Sequence, residues 1–73
     1  MEATVQRNQQ LVRLRVARGM SVWKAAREIG IDDRVLRRLE DGGRSRMATR
    51  KKVADFYNVD ILVLFPDLWD DEG

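Results

Sequence analysis

The residues best suited to chemistry are three arginines that recur at helical spacing. Arg34, Arg37 and Arg38 lie three and four positions apart, so on a helix they would share one face. A guanidinium group donates two parallel hydrogen bonds to one planar acceptor, such as a phosphate or the O6 and N7 atoms of guanine. Isolated arginines more often serve only as a solvated surface, so the significance of the cluster depends on the elements that hold it.

Several other kinds of chemistry are excluded by composition. The chain contains no cysteine and no histidine, which excludes disulfides, thiolate nucleophiles, imidazole acid–base catalysis and zinc sites built on these residues. It also has no glycine-rich loop of the type that holds a phosphate. We therefore expect no enzyme activity, no metal and no cofactor. Seventy-three residues form one domain, so we expect no separate sensing domain and no small-molecule effector.

Charge is distributed unevenly along the chain. Residues 1–59 carry all 14 lysines and arginines and 7 of the 12 acidic residues, a net charge of +7. Residues 60–73 carry the other 5 acidic residues and no base, a net charge of −5. A basic body favours a polyanionic partner, although a solvated surface with a chance imbalance fits equally well. The polar start and the longest apolar run, five residues at 61–65, predict neither a secretion signal nor a membrane span. We expect a cytoplasmic protein.

Capping residues and glycines predict three helices in the first part of the chain. The first helix contains Leu11 and ends at Gly19. The second runs over 22–29 after an N-cap at Ser21, and the third runs over 33–41 after an N-cap at Asp32.

Two further helices are predicted in the second part. Ser45 is the expected N-cap of a fourth helix that runs to about Tyr57, and Asp60 is the expected N-cap of a fifth helix over 61–65, ended by Pro66. The expected inner face of the fourth helix consists of Met47, Val53, Ala54 and Tyr57. No segment has a strand pattern, so the predicted fold class is all-α, a compact domain of five helices.

Residues 21–42 have the pattern of two short helices joined by a turn. Ala26 lies in the middle of the first of them, four residues before Gly30, and a small side chain there allows the other helix to cross closely. Apolar side chains on both helices would hold them at a fixed angle. A second helix held in this way can project from the body and enter the major groove of DNA.

These residues resemble the XRE-type helix-turn-helix family of phage Cro proteins and repressors. The small residue Ala26, the glycine Gly30 and the apolar Ile29, Leu36 and Leu39 stand where that family has them. The segments LVRLRVARGM and VADFYNVDILVLF are similar to its first helix and to its fourth and fifth helices. The resemblance covers about residues 8–66. It implies a lambda-repressor-like helix-turn-helix domain over 1–66, followed by an acidic C-terminal tail over 67–73.

The resemblance also implies a function and its residues. Among family members, the small size is most like the Cro proteins of temperate bacteriophages, which implies a repressor in lysis–lysogeny control; a short immunity repressor or a bacterial regulator of the same family stays open. The implied base contacts are Asp33, Arg34, Val35, Arg37 and Arg38. The implied phosphate contacts are Ser21, Lys24, Arg27, Arg44, Arg46, Arg50, Lys51 and Lys52. Arg15 and Glu40 stand where many members form an ion pair between the first and third helices.

Some residues depart from the family pattern or leave alternatives open. Arg50 and Lys51 replace residues that are often leucine, and Ala25 replaces a common core leucine. We expect Trp23 to fold over the gap left by Ala25; exposure toward a partner is the alternative.

The surplus of apolar residues near the C-terminus has two explanations. The residues concerned are Leu62, Val63, Leu68 and Trp69. They can fold back onto Val12 and Val16 of the first helix or become buried in a homodimer, and we favour a dimer formed on an operator. The alternative function is a protein-interaction module on the same fold, an antitoxin-like or polymerase-contacting regulator that uses this apolar region.

Overall fold

The computed structural model describes residues 7–66, which contain five helices and no strand. The helices are α1 Gln9–Ala17, α2 Val22–Ile29, α3 Asp33–Glu40, α4 Met47–Tyr57 and α5 Ile61–Leu64. The expected all-α fold of five short helices is confirmed for this part of the chain. The expectations for the acidic tail, and for Leu68 and Trp69 within it, lie outside the described residues.

Side-chain caps begin four of the five described helices. Asn8, Ser21, Asp32 and Asp60 each accept a hydrogen bond from a backbone N–H in the first turn of the helix that follows. The expected cap at Ser45 is wrong. Arg46 is the N-cap of α4 and makes no side-chain capping bond, so Ser45 lies one residue outside the helix. The N–H groups at the start of α4 therefore have no side-chain acceptor from the N-cap residue.

Left-handed glycines end the two helices of the predicted motif. Gly30 has φ +93° after α2, and Gly42 has φ +94° after α3, a conformation that costs glycine little because it has no Cβ. After α3, the Gly42 N–H donates to the Leu39 carbonyl at 3.1 Å and the Gly43 N–H donates to the Arg38 carbonyl at 2.8 Å. This pair of bonds is the Schellman arrangement. It turns the chain sharply away from the C-terminal end of α3.

The core lies where α1, α2, α3, α4 and α5 meet. Its completely buried large side chains include Leu11, Leu36, Leu39, Val53 and Leu64. On α4, Val53, Ala54 and Tyr57 are buried as expected. Met47 is not buried, since 57% of it is exposed.

A buried ion pair joins α1 to α3. Arg15 Nε and Nη2 donate to the two carboxylate oxygens of Glu40 at 2.7 and 3.0 Å, and Arg15 Nη1 donates to the Met20 carbonyl at 2.9 Å. The Arg15 and Glu40 side chains are 15% and 2% exposed. The hydrogen bond to Glu40 raises the pKa of Arg15 above its ordinary value, so Arg15 stays charged. This ion pair therefore fixes the orientation of α3 on the body of the domain.

Candidate nucleic-acid interface

Helices α2 and α3 form the most extensive helix pair among the described residues. Ala26 is 1% exposed, so its small side chain allows the close approach predicted from the sequence. Leu36 and Leu39 are completely buried, and Ile29 and Ile31 pack against the same core. The two helices of the predicted helix-turn-helix motif are therefore held together by continuous apolar packing.

The outward face of α3 consists of arginine side chains. Arg34, Arg37 and Arg38 are all exposed, whereas Leu36, Leu39 and Glu40 on the same helix are buried. The helical spacing thus separates α3 into a core-facing side and a cationic side. The structure brings the three arginines together on one exposed surface, as the spacing predicts.

Asp32 contacts the first of these arginines. Its Oδ1 accepts the capping bond from the Arg34 backbone N–H at 2.8 Å and lies 3.5 Å from Arg34 Nε. The backbone hydrogen bond, together with the positive charge of Arg34, lowers the pKa of Asp32 below its ordinary value. Asp32 therefore keeps the negative charge that suits the N-terminus of α3.

The other two expected base-contacting residues are less exposed than the arginines. Asp33, in the first turn of α3, is half-buried. Val35 is half-buried and packs against the hydrophobic core. Only part of either side chain is therefore available to a ligand in front of α3.

Further cationic residues follow α3 along the chain. Arg44, Arg46, Lys51 and Lys52 are exposed in the α3–α4 loop and the first half of α4. Lys51 Nζ lies 3.3 Å from Asp55 Oδ2 one turn later, an exposed pair that is weak enough to exchange for another anion. These four residues are therefore accessible to an anionic partner.

The expected phosphate contacts at the start of α2 and within it are exposed, and each already makes a contact within the protein. Ser21 Oγ accepts the capping bond from the Lys24 N–H at 3.1 Å. Lys24 Nζ lies 3.2 Å from Glu28 Oε2, and the Arg27 guanidinium carbon lies 5.0 Å from the centre of the Trp23 ring. Each is accessible to solvent. The Ser21 hydroxyl can still donate its proton to a phosphate while it accepts the capping bond, whereas a phosphate contact by Lys24 would compete with Glu28.

The expected phosphate contact at Arg50 is wrong. Arg50 is 2% exposed, and its guanidinium carbon lies 5.5 Å from the centre of the Phe65 ring. Position 50 continues the buried face of α4 that contains Val53, Ala54 and Tyr57 at spacings of three and four. That periodicity places position 50 on the buried face, but it does not by itself decide whether an arginine at this position is buried.

The expected packing of Trp23 over Ala25 is also wrong. Trp23 is 57% exposed, while Ala25 is completely buried. Side chains of residues two positions apart on an α-helix point in directions about 200° apart. The Trp23 side chain is therefore directed away from the side of α2 that carries Ala25. The surface alternative for Trp23 is the one that the structure supports.

The apolar residues of α5 are divided between the core and the surface. Leu64 and Phe65 are buried, Leu62 is half-buried and Val63 is 54% exposed. On α1, Val16 is 60% exposed. The structure thus leaves some apolar surface on these helices, as the surplus of apolar residues predicts.

Sequence reasoning missed the structural role of Asn8. Its Oδ1 caps α1 through the Leu11 N–H, its Nδ2 donates to the Leu64 carbonyl at 2.8 Å, and its own N–H donates to the Glu40 carbonyl at 2.9 Å. Asn8 therefore links the start of α1 to α3 and α5. The preference of asparagine for N-cap positions is the signal that identifies its capping role.

Comparisons of the chain with protein-family models, curated proteins and solved structures found no match. Within residues 7–66, no group of acidic side chains is arranged to hold a metal ion. No helix in this range is long and apolar enough to cross a bilayer. The functional interpretation therefore depends on the geometry and chemistry of the cationic surface.

Proposed function

We propose that the protein is a sequence-specific, double-stranded DNA-binding transcriptional repressor that inserts α3 into the major groove. The observation that carries this proposal is the exposure of Arg34, Arg37 and Arg38 on a helix whose opposite side is buried. Arginine forms paired hydrogen bonds with guanine O6 and N7, and a good pair contributes roughly 1–3 kcal/mol of discrimination between bases. Three such side chains on one rigid helix suit direct readout of a short G·C-containing half-site.

The overall charge supports a polyanionic partner. Residues 7–66 contain all 14 lysines and arginines and 7 acidic residues, so their net charge is +7. Phosphate contacts supply affinity and register without reading the sequence. In this proposal the α3–α4 loop and the start of α4 provide those contacts, mainly through Arg44, Arg46, Lys51 and Lys52, while Arg50 remains in the core.

Repression by occupation of an operator needs no further machinery. A protein bound across a promoter excludes polymerase by its volume, and the proposed mechanism uses neither a cofactor nor an effector. We place this activity in the cytoplasm of a bacterial cell, in the manner of a phage Cro protein. A homodimer formed on the operator through α5 would match two half-sites about one turn of DNA apart.

A protein-interaction module on the same fold is the second candidate. The observation that favours it is the exposure of Trp23 and Val63, which are 57% and 54% accessible. Exposed aromatic and aliphatic side chains are common in interaction surfaces. This alternative predicts binding that depends on the apolar residues and responds little to salt.

The decisive experiment is to enrich duplexes from a randomised pool with the wild-type protein and to compare the enriched duplex with a scrambled one. We expect binding of the enriched duplex to weaken steeply with salt, with a slope of about −0.9 in log–log form for each phosphate contact. Replacing Arg38 by alanine should lower the preference for the enriched duplex roughly 5- to 100-fold. Replacing Lys52 by alanine should instead weaken binding to both duplexes and reduce the salt slope by about one contact.

Arg13→Ala is the matched control, because it removes one exposed arginine from α1, outside the proposed interface. It should leave the preference between the duplexes unchanged. Equal loss of binding to both duplexes in the Arg38 variant would contradict base readout by this residue. A wild-type protein that enriches no duplex, and whose binding does not respond to salt, would favour the protein-interaction module.

A further inference from the structure

We propose that Gly43 is a positioning residue that fixes the conformation of the Arg38 side chain and thereby sets the base preference of the protein. The inference rests on the proposed function for the base preference, but its structural part concerns only the contact between these two residues. Gly43 lies three residues after the end of α3, next to the positive-φ glycine Gly42.

The chain reversal after α3 brings Gly43 back over Arg38. The Gly43 N–H donates to the Arg38 carbonyl at 2.8 Å, which closes the last turn of α3. The Cα of Gly43 therefore lies close to both the backbone and the side chain of Arg38. Four residues lie between Arg38 and Gly43 in the chain, so the turn is what brings the two residues close together.

The contact leaves no space for a larger residue at position 43. A Cβ added there would lie 2.6 Å from Arg38 Cγ, 3.4 Å from Arg38 Cδ and 3.1 Å from the Arg38 carbonyl oxygen. Glycine is not needed here for its backbone freedom, since Gly43 is not among the glycines with positive φ. It is needed because the stem of the Arg38 side chain occupies the space that a Cβ would take.

This packing has a consequence for recognition. Arginine loses side-chain conformational entropy when it is ordered, and a stem already held against the backbone loses less of it on binding. An alanine at position 43 displaces Arg38 Cγ, so the guanidinium moves away from the direction that the wild type gives it. Arg37 contributes none of the three atoms nearest to the position of that Cβ, so the direction of its side chain should not change.

The structural part is tested without DNA. Three-bond NMR couplings that report χ1 of Arg38 should indicate one dominant rotamer in the wild type and an altered population in Gly43→Ala, while those of Arg37 stay the same. Identical Arg38 couplings in the two proteins would overturn the inference.

The functional part is tested with the duplex enriched by the wild type and its scrambled counterpart. Gly43→Ala should lower the preference for the enriched duplex by about fivefold or more, approaching the loss in Arg38→Ala. In the Arg38→Ala background, where Cγ is absent, adding Gly43→Ala should change the preference less than about twofold, because contacting residues act non-additively. This double variant also reveals any general damage to the turn.

An equal loss with both duplexes that persists in the Arg38→Ala background would assign Gly43 to the turn alone and overturn the inference. A wild type without any duplex preference would overturn the proposed function, and the base-selection part of the inference with it. The NMR couplings would still decide the positioning part, so the two failures are distinguishable.

Discussion

Removal of the Glu40 carboxylate should strongly destabilise the domain. In Glu40→Ala, Arg15 loses both carboxylate oxygens and, among the described residues, keeps the Met20 carbonyl as its hydrogen-bond partner. The Arg15 side chain is 15% exposed, so water can replace little of what is lost. The variant therefore leaves a cation largely buried and incompletely hydrogen-bonded.

The magnitude follows from the burial of the pair. Breaking a buried ion pair by removing one partner costs roughly 3–5 kcal/mol, and the partial exposure of Arg15 places the expected loss at about 3 kcal/mol. Domains have unfolding free energies of roughly 0.05–0.15 kcal/mol per residue, which amounts to about 3–9 kcal/mol for the 60 described residues. A loss of about 3 kcal/mol therefore removes between about one third and all of this stability.

Urea unfolding followed by far-ultraviolet circular dichroism measures this loss. Glu28→Ala is the matched control, because it makes the same substitution in an ion pair with Lys24 whose side chains are 58% and 46% exposed. The control should change the free energy of unfolding by less than about 1 kcal/mol. If Glu40→Ala is too unstable to measure, Glu40→Gln keeps the shape and one acceptor and should show a smaller loss.

A double variant separates the stranded charge from the loss of packing. Arg15→Met combined with Glu40→Leu removes both charges and should recover most of the stability, since apolar replacement of a buried pair is often neutral or favourable. Our reasoning would be refuted if Glu40→Ala cost no more than Glu28→Ala. A double variant as unstable as the single variant would show that the stranded charge is not the cause.

Three further predictions concern α2 and the start of α3. Ser21→Ala removes the cap on the Lys24 N–H and should cost about 1 kcal/mol in urea unfolding, whereas Ser21→Asn should keep most of it; no difference between the two would contradict the capping role. Trp23→Ser should change the free energy of unfolding by less than about 0.5 kcal/mol because Trp23 is exposed, while Leu36→Ala should cost about 2–5 kcal/mol; comparable losses would mean that Trp23 is packed. The lowered pKa of Asp32 means that its ionised form stabilises the fold above its ordinary value of 3.8, and this contribution is lost as pH falls through the folded-state pKa. Asp32→Asn keeps a cap and is the comparison variant. In thermal unfolding between about pH 2 and 7, the wild type should be more stable than this variant near neutral pH and should lose this difference at the acid end. A difference in stability that stays constant with pH would contradict this.

Features that depend on near neighbours in the chain could be predicted from the sequence. The caps at Ser21, Asp32 and Asp60 and the helix stop at Gly30 are set by a side chain and the few residues beside it. The exposure of the α3 arginines is similarly predictable, because the spacing of Leu36 and Leu39 assigns the opposite side of the helix to the core. These predictions need only the helical period and the preferences of individual residues.

Features that depend on where other helices end could not be predicted in the same way. Met47 shares the inner face of α4 but is 57% exposed, whereas Arg50, about one turn later on the same face, is buried. The prediction of a phosphate contact for Arg50 follows from its charge, whereas its position on that face is what agrees with its burial.

The sequence by itself determined that residues 7–66 form five short helices, that residues 21–42 form two of them around a glycine turn, and that α3 presents arginines to solvent. Only the tertiary structure decided that Arg50 belongs to the core, that Trp23 belongs to the surface, and that Gly43 lies against the stem of Arg38. The physical reason is the distance along the chain over which each effect acts. Capping and helical periodicity act within one or two turns of the chain, whereas burial and close contact depend on the path by which distant segments return.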